Sequence, residues 1–184
     1  MKHLVITIGC EYGAKGNAIG KKIAQDLGIK FYDRDLVDEI IKEVGIPTDI
    51  MDRVEEGGTI AGKGAQGDVR GSFSKYADLT DRAIHVQKQI IRKLAQKEAC
   101  VIIGRSADYI LKDRDDVLNV FIHGDTPEKI QRITRLYNVE EQKVVKMMVD
   151  IDKRRMANYN FYTNQKWGKA SNYTLCLNSS QLGY

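Results

Sequence analysis

The chain has 184 residues, of which 42% are hydrophobic and 29% are charged, and its net charge is +4. This length suits a single domain over residues 1–184, and the composition is that of a globular protein rather than a disordered one. The charges are spread without a stripe of interleaved basic and aromatic residues, and no apolar run approaches the roughly 18 residues that span a bilayer. We therefore expect no nucleic-acid partner and no membrane partner.

Short apolar runs alternate with helical patterns along the chain. The runs that predict buried strands are Leu4–Ile8, Ile29–Tyr32, Cys100–Ile103, Val117–Ile122 and Tyr173–Asn178. Between them, apolar residues at helical spacing predict helices, among them a long one over Asp78–Glu98 and another over Val139–Asn158. This alternation predicts an α/β domain with a doubly wound, five-stranded parallel sheet.

Residues 55–74 differ from the rest because they are rich in glycine and show little periodicity. We interpret the stretch up to the long helix, residues 55–77, as a mobile insertion. Loops of this length in compact domains are often functional or disordered, and a passive loop is the alternative.

A glycine-rich turn follows the first strand and opens a helix. Its residues, Gly9-Cys10-Glu11-Tyr12-Gly13-Ala14-Lys15-Gly16, match the P-loop pattern G-x-x-x-x-G-K-[ST] in the first glycine and the lysine. Ala14 replaces the second glycine and Gly16 the hydroxyl residue, with Asn17 next. Backbone N–H groups of such a turn and the helix N-terminus attract phosphate, so the position favours a phosphate site, and a plain strand-to-helix turn is the alternative.

The cysteines and histidines, three of each, form no zinc-type spacing, so we assign no metal-ligating residue. The N-terminal apolar stretch is too short for a signal peptide, which leads us to expect a cytoplasmic protein.

The order of several short segments resembles the cytidylate-kinase-like family over nearly the whole length. These segments are Glu11-Tyr12-Gly13, Gly20-Lys21-Lys22-Ile23-Ala24, Phe31-Tyr32-Asp33, the run Val101–Ile110, Asp152-Lys153-Arg154-Arg155, Phe161-Tyr162-Thr163, Trp167-Gly168 and Leu177-Asn178-Ser179-Ser180. The resemblance implies a fold of the P-loop kinase type, ATP with Mg²⁺, and a nucleoside monophosphate as acceptor. Members commonly lack a lysine at Lys15 and carry a Ser-Arg pair where this chain has Gly9 and Cys10.

For the nucleotide, the resemblance implies contacts from the loop and from the segment after the last strand. Lys15 would lie against the β- and γ-phosphates and act in catalysis. The other nucleotide-binding candidates are Gly13, Ala14, Gly16, Asn17 and Ser179. Ser179 would border the adenine, and an ordinary turn is the alternative for its segment.

For the acceptor, the resemblance implies the Gly104-Arg105 pair at the carboxyl end of a strand. Arg105 would clamp the acceptor phosphate, with Asp108 nearby, and a surface arginine is the alternative. Asp33 would orient the Mg²⁺ water shell or the acceptor, or else cap a helix, and Arg34 would contact the acceptor phosphate. The insertion over 55–77 would then lie on the acceptor side.

Arg154 and Arg155 lie in the region 139–168, which we interpret as a helical lid. Arginines from such a lid add positive charge at the transition state when it closes over ATP. The alternative is that Lys153-Arg154-Arg155 forms a solvated basic face. Arg132 and Arg135, on the preceding predicted helix, stay unassigned.

The resulting hypothesis is an ATP-dependent kinase of nucleoside monophosphates, with small-molecule nucleotides as its partners and CMP or dCMP favoured by resemblance. A nucleotide-binding regulatory protein without turnover and a kinase of another small acceptor stay open. No helix pattern follows the last predicted strand, so either the chain is truncated at Tyr184 or another subunit of a homo-oligomer covers that strand.

Overall fold

The structure is a computed structural model that describes residues 3–43, 45 and 69–183. Within these residues the strands are β1 (Val5–Cys10), β2 (Lys30–Tyr32), β3 (Cys100–Ile103), β4 (Val117–His123) and β5 (Leu175–Asn178). All pair in parallel in one sheet of order β2-β3-β1-β4-β5. The predicted five-stranded parallel sheet is confirmed.

The helices connect these strands. They are α1 (Gly16–Leu27), α2 (Arg34–Glu43), α3 (Val69–Lys97), α4 (Ala107–Ile110), α5 (Thr126–Tyr137) and α6 (Glu141–Thr163), and a 3-10 turn covers Ala170–Asn172. None of the helices in the described ranges is long and apolar enough to cross a membrane.

The predicted start of the long helix at Asp78 is wrong, because α3 begins at Val69. Residues 69–77, which we assigned to the insertion, are helical, whereas residues 55–68 lie outside the described residues. Gly71 within the first turns costs about 1 kcal/mol relative to alanine. A helix of 29 residues absorbs that cost.

The sheet is covered on both faces, as a doubly wound fold requires. Alternate residues of β1 and β3 enter two separate apolar clusters. One contains Val5, Cys100 and Ile102 with residues of α2, α3 and α4, and the other contains Ile6, Ile8, Val101 and Ile103 with Ala24 of α1. A third cluster, Ile133, Val144 and Met148, joins α5 to α6, and Tyr12 packs against it.

The strand order positions the site. β1 is the central strand, between β3 and β4. The connection after β1 leads to β2 on one side of it, whereas the connection after β3 leads to β4 on its other side. Ligands of open α/β sheets bind in the crevice at the carboxyl ends of the strands beside such a switch point. The β1–α1 turn and the Gly104–Ser106 turn after β3 both lie at this edge.

Candidate active site

The turn between β1 and α1 has the geometry of an anion-binding loop. Gly13 and Lys15 have positive φ angles of 81° and 62°, and Lys15 occupies the N-cap position of α1. A lysine at this position has no acceptor atom with which to cap the helix, so the amino end of α1 offers its partial positive charge to a bound anion. The predicted strand–loop–helix unit is therefore present.

Gly16 explains why the loop lacks a hydroxyl after its lysine. A Cβ atom added at Gly16 would lie 2.4 Å from Cys10 Sγ and 2.6 Å from Cys10 Cβ. The Cys10 side chain thus fills the space that a serine or threonine would need. Burial raises the pKa of the Cys10 thiol, which Arg155 opposes more weakly, so the thiol stays neutral at physiological pH.

Helix α5 holds the loop from one side. Lys129, with 7% of its side chain exposed, pairs with Glu11 at 2.5 Å between Nζ and Oε2. One residue beyond Tyr12, the Gly13 carbonyl accepts a hydrogen bond from Arg132 Nη1. Desolvation lowers the pKa of Arg132. Sequence reasoning did not assign Arg132, and it missed the Lys129–Glu11 pair, because both contacts depend on how α5 packs.

Helix α6 holds the same loop at two further residues. Asp152 Oδ1 accepts a hydrogen bond from the Tyr12 backbone N–H at 2.8 Å, and Arg155 Nη1 donates to the Cys10 carbonyl at 3.2 Å. Arg155 also lies 3.7 Å from Asp152 Oδ1. Burial raises the pKa of the Asp152 carboxyl, although the Tyr12 N–H and Arg155 both oppose this rise.

The structure separates the two predicted lid arginines. Arg155 reaches the loop, whereas the neighbouring Arg154 is exposed. Both lie on α6, which ends at Thr163, within the region 139–168 that we interpret as a lid. Of the two, Arg155 is the one that contacts the loop and lines the cavity described next.

A cavity of about 150 Å³ lies at the carboxyl edge of the sheet. Residues from the start of the loop, α2, α3, the turn after β3, and α6 line it. Those with polar or functional groups include Cys10, Arg34, Gln87, Lys88, Arg105, Ser106, Asp108, Arg155, Asn158 and Tyr159. The predicted acceptor residues Arg34, Arg105 and Asp108 thus share one cavity with Arg155.

The turn after β3 has an unusual backbone. Gly104, Arg105 and Ser106 all have positive φ angles, of 66°, 56° and 51°. Non-glycine residues rarely adopt this left-handed conformation, and it concentrates at functional sites. The turn aims Arg105 inward, where 1% of its side chain is exposed.

Arg105 and Arg34 share one carboxylate. Arg105 Nη2 donates a hydrogen bond to Asp38 Oδ2, and Arg34 Nε lies 3.8 Å from the same oxygen. Asp38, on α2, was not predicted, because only the packing of α2 against the turn after β3 brings it there. A carboxylate between two guanidinium groups fixes their positions and offsets their mutual repulsion.

Asp108 lines the cavity beside an aromatic side chain. Tyr159 donates its hydroxyl to Asp108 Oδ2 at 2.6 Å. Burial raises the pKa of the Asp108 carboxyl, and the hydrogen bond from Tyr159 opposes that rise. Burial also raises the pKa of Tyr159, and the nearby Asp108 carboxyl adds to that rise, so the phenol remains a donor.

Several predicted residues serve local structure in this conformation. Asp33 precedes α2, and its Oδ1 accepts a hydrogen bond from the Leu36 N–H at 3.0 Å, so it caps the helix. Ser179 Oγ donates to the His123 carbonyl at 3.1 Å, while Asn17 is exposed in the first turn of α1. The Ala14 N–H donates to the Glu11 carbonyl at 3.1 Å.

Comparison with known proteins agrees with this arrangement. A sequence model of the cytidylate kinase-like family matches residues 5–181. Among curated proteins no match was found. A crystal structure of an uncharacterized protein from Eubacterium ventriosum shares 28% identity, with 97% of this chain and 89% of that chain covered and a TM-score of 0.74.

More distant structures share the fold alone. Shikimate kinase from Bacteroides thetaiotaomicron is 15% identical, with 95% of this chain and 86% of that chain covered and a TM-score of 0.53. The Thermus thermophilus protein TT1252 is 10% identical, with 97% and 89% covered and the same TM-score of 0.53. The fold of this chain is thus one that a shikimate kinase also has.

Proposed function

Because the chain belongs to the cytidylate kinase-like family, we propose that it transfers the γ-phosphoryl group of ATP to a nucleoside monophosphate, with CMP or dCMP favoured. The observation that carries the proposal is the cavity that Arg34, Arg105 and Arg155 line beside the phosphate loop. Phosphoryl transfer requires mainly positioning and positive charge around the transferred group, and this arrangement supplies both.

The loop and α1 form the side of the site for ATP. Lys15 and the amino end of α1 supply positive charge, and residues 13–17 supply the backbone N–H groups that cradle phosphates. The loop backbone fits a triphosphate, because Gly13 and Lys15 have the left-handed conformation that turns successive N–H groups toward an anion. Arg155 donates to the Cys10 carbonyl, so its guanidinium adds positive charge beside the same loop.

The Mg²⁺ ion that kinases use would enter with ATP, bound to its phosphate oxygens, and neutralise charge there. Among the described residues, no group of three or more His, Cys, Asp or Glu side chains forms a metal site. Glu11 and Asp152 are engaged with Lys129 and with the Tyr12 N–H. We therefore assign no side chain as a direct ligand of the ion.

The cavity forms the side of the site for the acceptor. Arg105 is buried and paired with Asp38, so its guanidinium is held in place before any ligand binds. A fixed guanidinium matches the oxygens of a phosphate monoester, which it can bind through two parallel hydrogen bonds. Arg34, with 46% of its side chain exposed, can close on the same phosphate from the solvent side.

A second candidate is a nucleotide-binding protein without turnover. The observation in its favour is Gly16, since the space for a metal-binding hydroxyl is filled by Cys10. This candidate predicts affinity for ATP without phosphoryl transfer to any acceptor. The loop would then bind phosphate as a sensor.

The test is ADP release from Mg·ATP, measured by a coupled assay with CMP, dCMP, UMP, AMP and GMP each offered as acceptor. The proposal predicts release that depends on one or two of these acceptors and that falls in Lys15→Ala and Arg105→Ala. Gln25→Ala, at an exposed position farther along α1, is the control that should keep most of the activity. ATP binding by calorimetry without release would favour the second candidate, and release unchanged in both alanine variants would defeat the assigned roles.

A further inference from the structure

Gln87 of α3 presents a buried amide to the cavity. Its side chain lies on the cavity wall, and 7% of the residue is exposed. Nε2 donates a hydrogen bond to the Arg105 carbonyl at 3.1 Å, which fixes the direction of the amide group. The other end of the amide, Oε1, is buried and has no hydrogen-bond partner within the described part of the chain.

Asn158 of α6 presents a second amide to the same cavity. Its Oδ1 is also buried without a hydrogen-bond partner among the described residues. Asn158 lies one residue before Tyr159, whose hydroxyl contacts Asp108. Two different helices therefore each bring an amide oxygen with unused capacity to one cavity.

An acceptor atom that is buried without a donor costs about 1–3 kcal/mol, so native proteins rarely keep one without a reason. Two such atoms on one cavity wall point to a ligand that supplies the donors. An amide oxygen accepts hydrogen bonds only, so it repels the phosphate oxygens that the arginines attract. The ligand group near Gln87 and Asn158 must then be an N–H or O–H group.

We propose that Gln87 and Asn158 are specificity-determining residues that accept hydrogen bonds from an amino or hydroxyl donor on the acceptor substrate. The inference rests on the proposed function, because it assigns the acceptor's neutral part to the same cavity. The donor is either the exocyclic amino group of the base or the 2′-hydroxyl of the sugar. An acceptor that carries a carbonyl or a hydrogen atom in that place leaves the amide oxygens unpaired, which sites of this kind reject strongly.

The test compares kcat/KM for CMP, UMP and dCMP in the wild-type chain and in Gln87→Met and Asn158→Leu. The CMP/UMP ratio reports on the base amino group, and the CMP/dCMP ratio on the 2′-hydroxyl. Loss of one hydrogen bond should lower one of these ratios by roughly 3- to 10-fold in each variant. Gln89→Met, at an exposed position of the same helix where Gln89 contacts His85, should leave both ratios unchanged.

The ratios separate recognition from structural damage. Gln87→Met also removes the hydrogen bond to the Arg105 carbonyl, and this loss should lower kcat/KM by the same factor for all acceptors. Such a common fall leaves the CMP/UMP and CMP/dCMP ratios unchanged, so a changed ratio reports lost recognition. Asn158→Asp keeps an acceptor oxygen and should retain more of the wild-type ratio than Asn158→Leu. Both ratios unchanged in both Gln87→Met and Asn158→Leu would overturn the proposal.

Binding of CMP, UMP and dCMP by calorimetry distinguishes this inference from the proposed function. Binding preferences that shift in the variants, without ADP release, would support the inference and contradict the kinase activity. ADP release with kcat/KM ratios that the variants do not change would support the kinase activity and contradict the inference. A chain that binds none of the three nucleotides would overturn both.

Discussion

The substitution Gly16→Ser restores the hydroxyl of the P-loop pattern, and we expect it to destabilise the fold. The new Cβ would meet Cys10 Sγ at 2.4 Å and Cys10 Cβ at 2.6 Å, well inside van der Waals contact. Overpacking of this kind costs about 1–3 kcal/mol. In a domain of this size, that corresponds to a loss of roughly 2 to 12 °C in Tm.

The assay is thermal unfolding by calorimetry of Gly16→Ser, Cys10→Gly and the double variant. Cys10→Gly alone costs about 0.5–1 kcal/mol from added backbone freedom at the end of β1. It also removes both clashing atoms, so the double variant should be more stable than the sum of the single effects predicts. Asn17→Ser places a serine in the same turn without a clash, and its Tm should stay near that of the wild type. An unchanged Tm in Gly16→Ser, or additive effects in the double variant, would refute the packing argument.

Three further predictions follow from the charged groups. Asp38→Asn leaves the buried Arg105 guanidinium without its carboxylate and should lower the free energy of unfolding by about 3 kcal/mol or more in chemical denaturation, and a loss below about 1 kcal/mol would contradict the pair's importance. Burial raises the pKa of Asp108 above its ordinary 3.8, so its contribution to stability is present below that pH and is lost as the pH rises through the raised pKa. The Tm of Asp108→Asn minus the Tm of the wild type should therefore increase as the pH rises through the raised pKa. A Tm difference that does not change with pH would contradict the raised pKa of Asp108. Arg155→Ala should lower kcat by about 10³-fold or more if it faces the transferred phosphoryl group, whereas Arg154→Ala should have a small effect, and equal losses in steady-state assays would contradict their separation.

The sheet could be predicted because each strand is a short apolar run between helical patterns. β3 matches its predicted bounds, and the other strands differ at one or both ends. The start of α3 could not be predicted as easily, since the glycines before Asp78 masked the helical spacing of Val69, Phe73 and Tyr76 in the sequence. Local composition was a weaker guide there than periodicity.

The site could be predicted only where the chain itself carries the signal. Lys15 lies in a recognisable loop and Arg105 follows a buried strand, so sequence position alone made both of them candidates. Asp38 and Lys129 contribute through contacts between distant segments, and no local pattern distinguishes them from other charged helix residues. Asp33 had two interpretations, and the hydrogen bond from the Leu36 N–H shows that it caps α2.

The most direct test of the central claim is ³¹P NMR of the wild-type chain with Mg·ATP and CMP. The account predicts that the ATP and CMP signals decrease together while ADP and CDP appear in equal amounts. ADP with inorganic phosphate and no CDP would show hydrolysis instead, and unchanged ATP, with dCMP, UMP, AMP and GMP giving the same result, would contradict the assignment as a nucleoside monophosphate kinase.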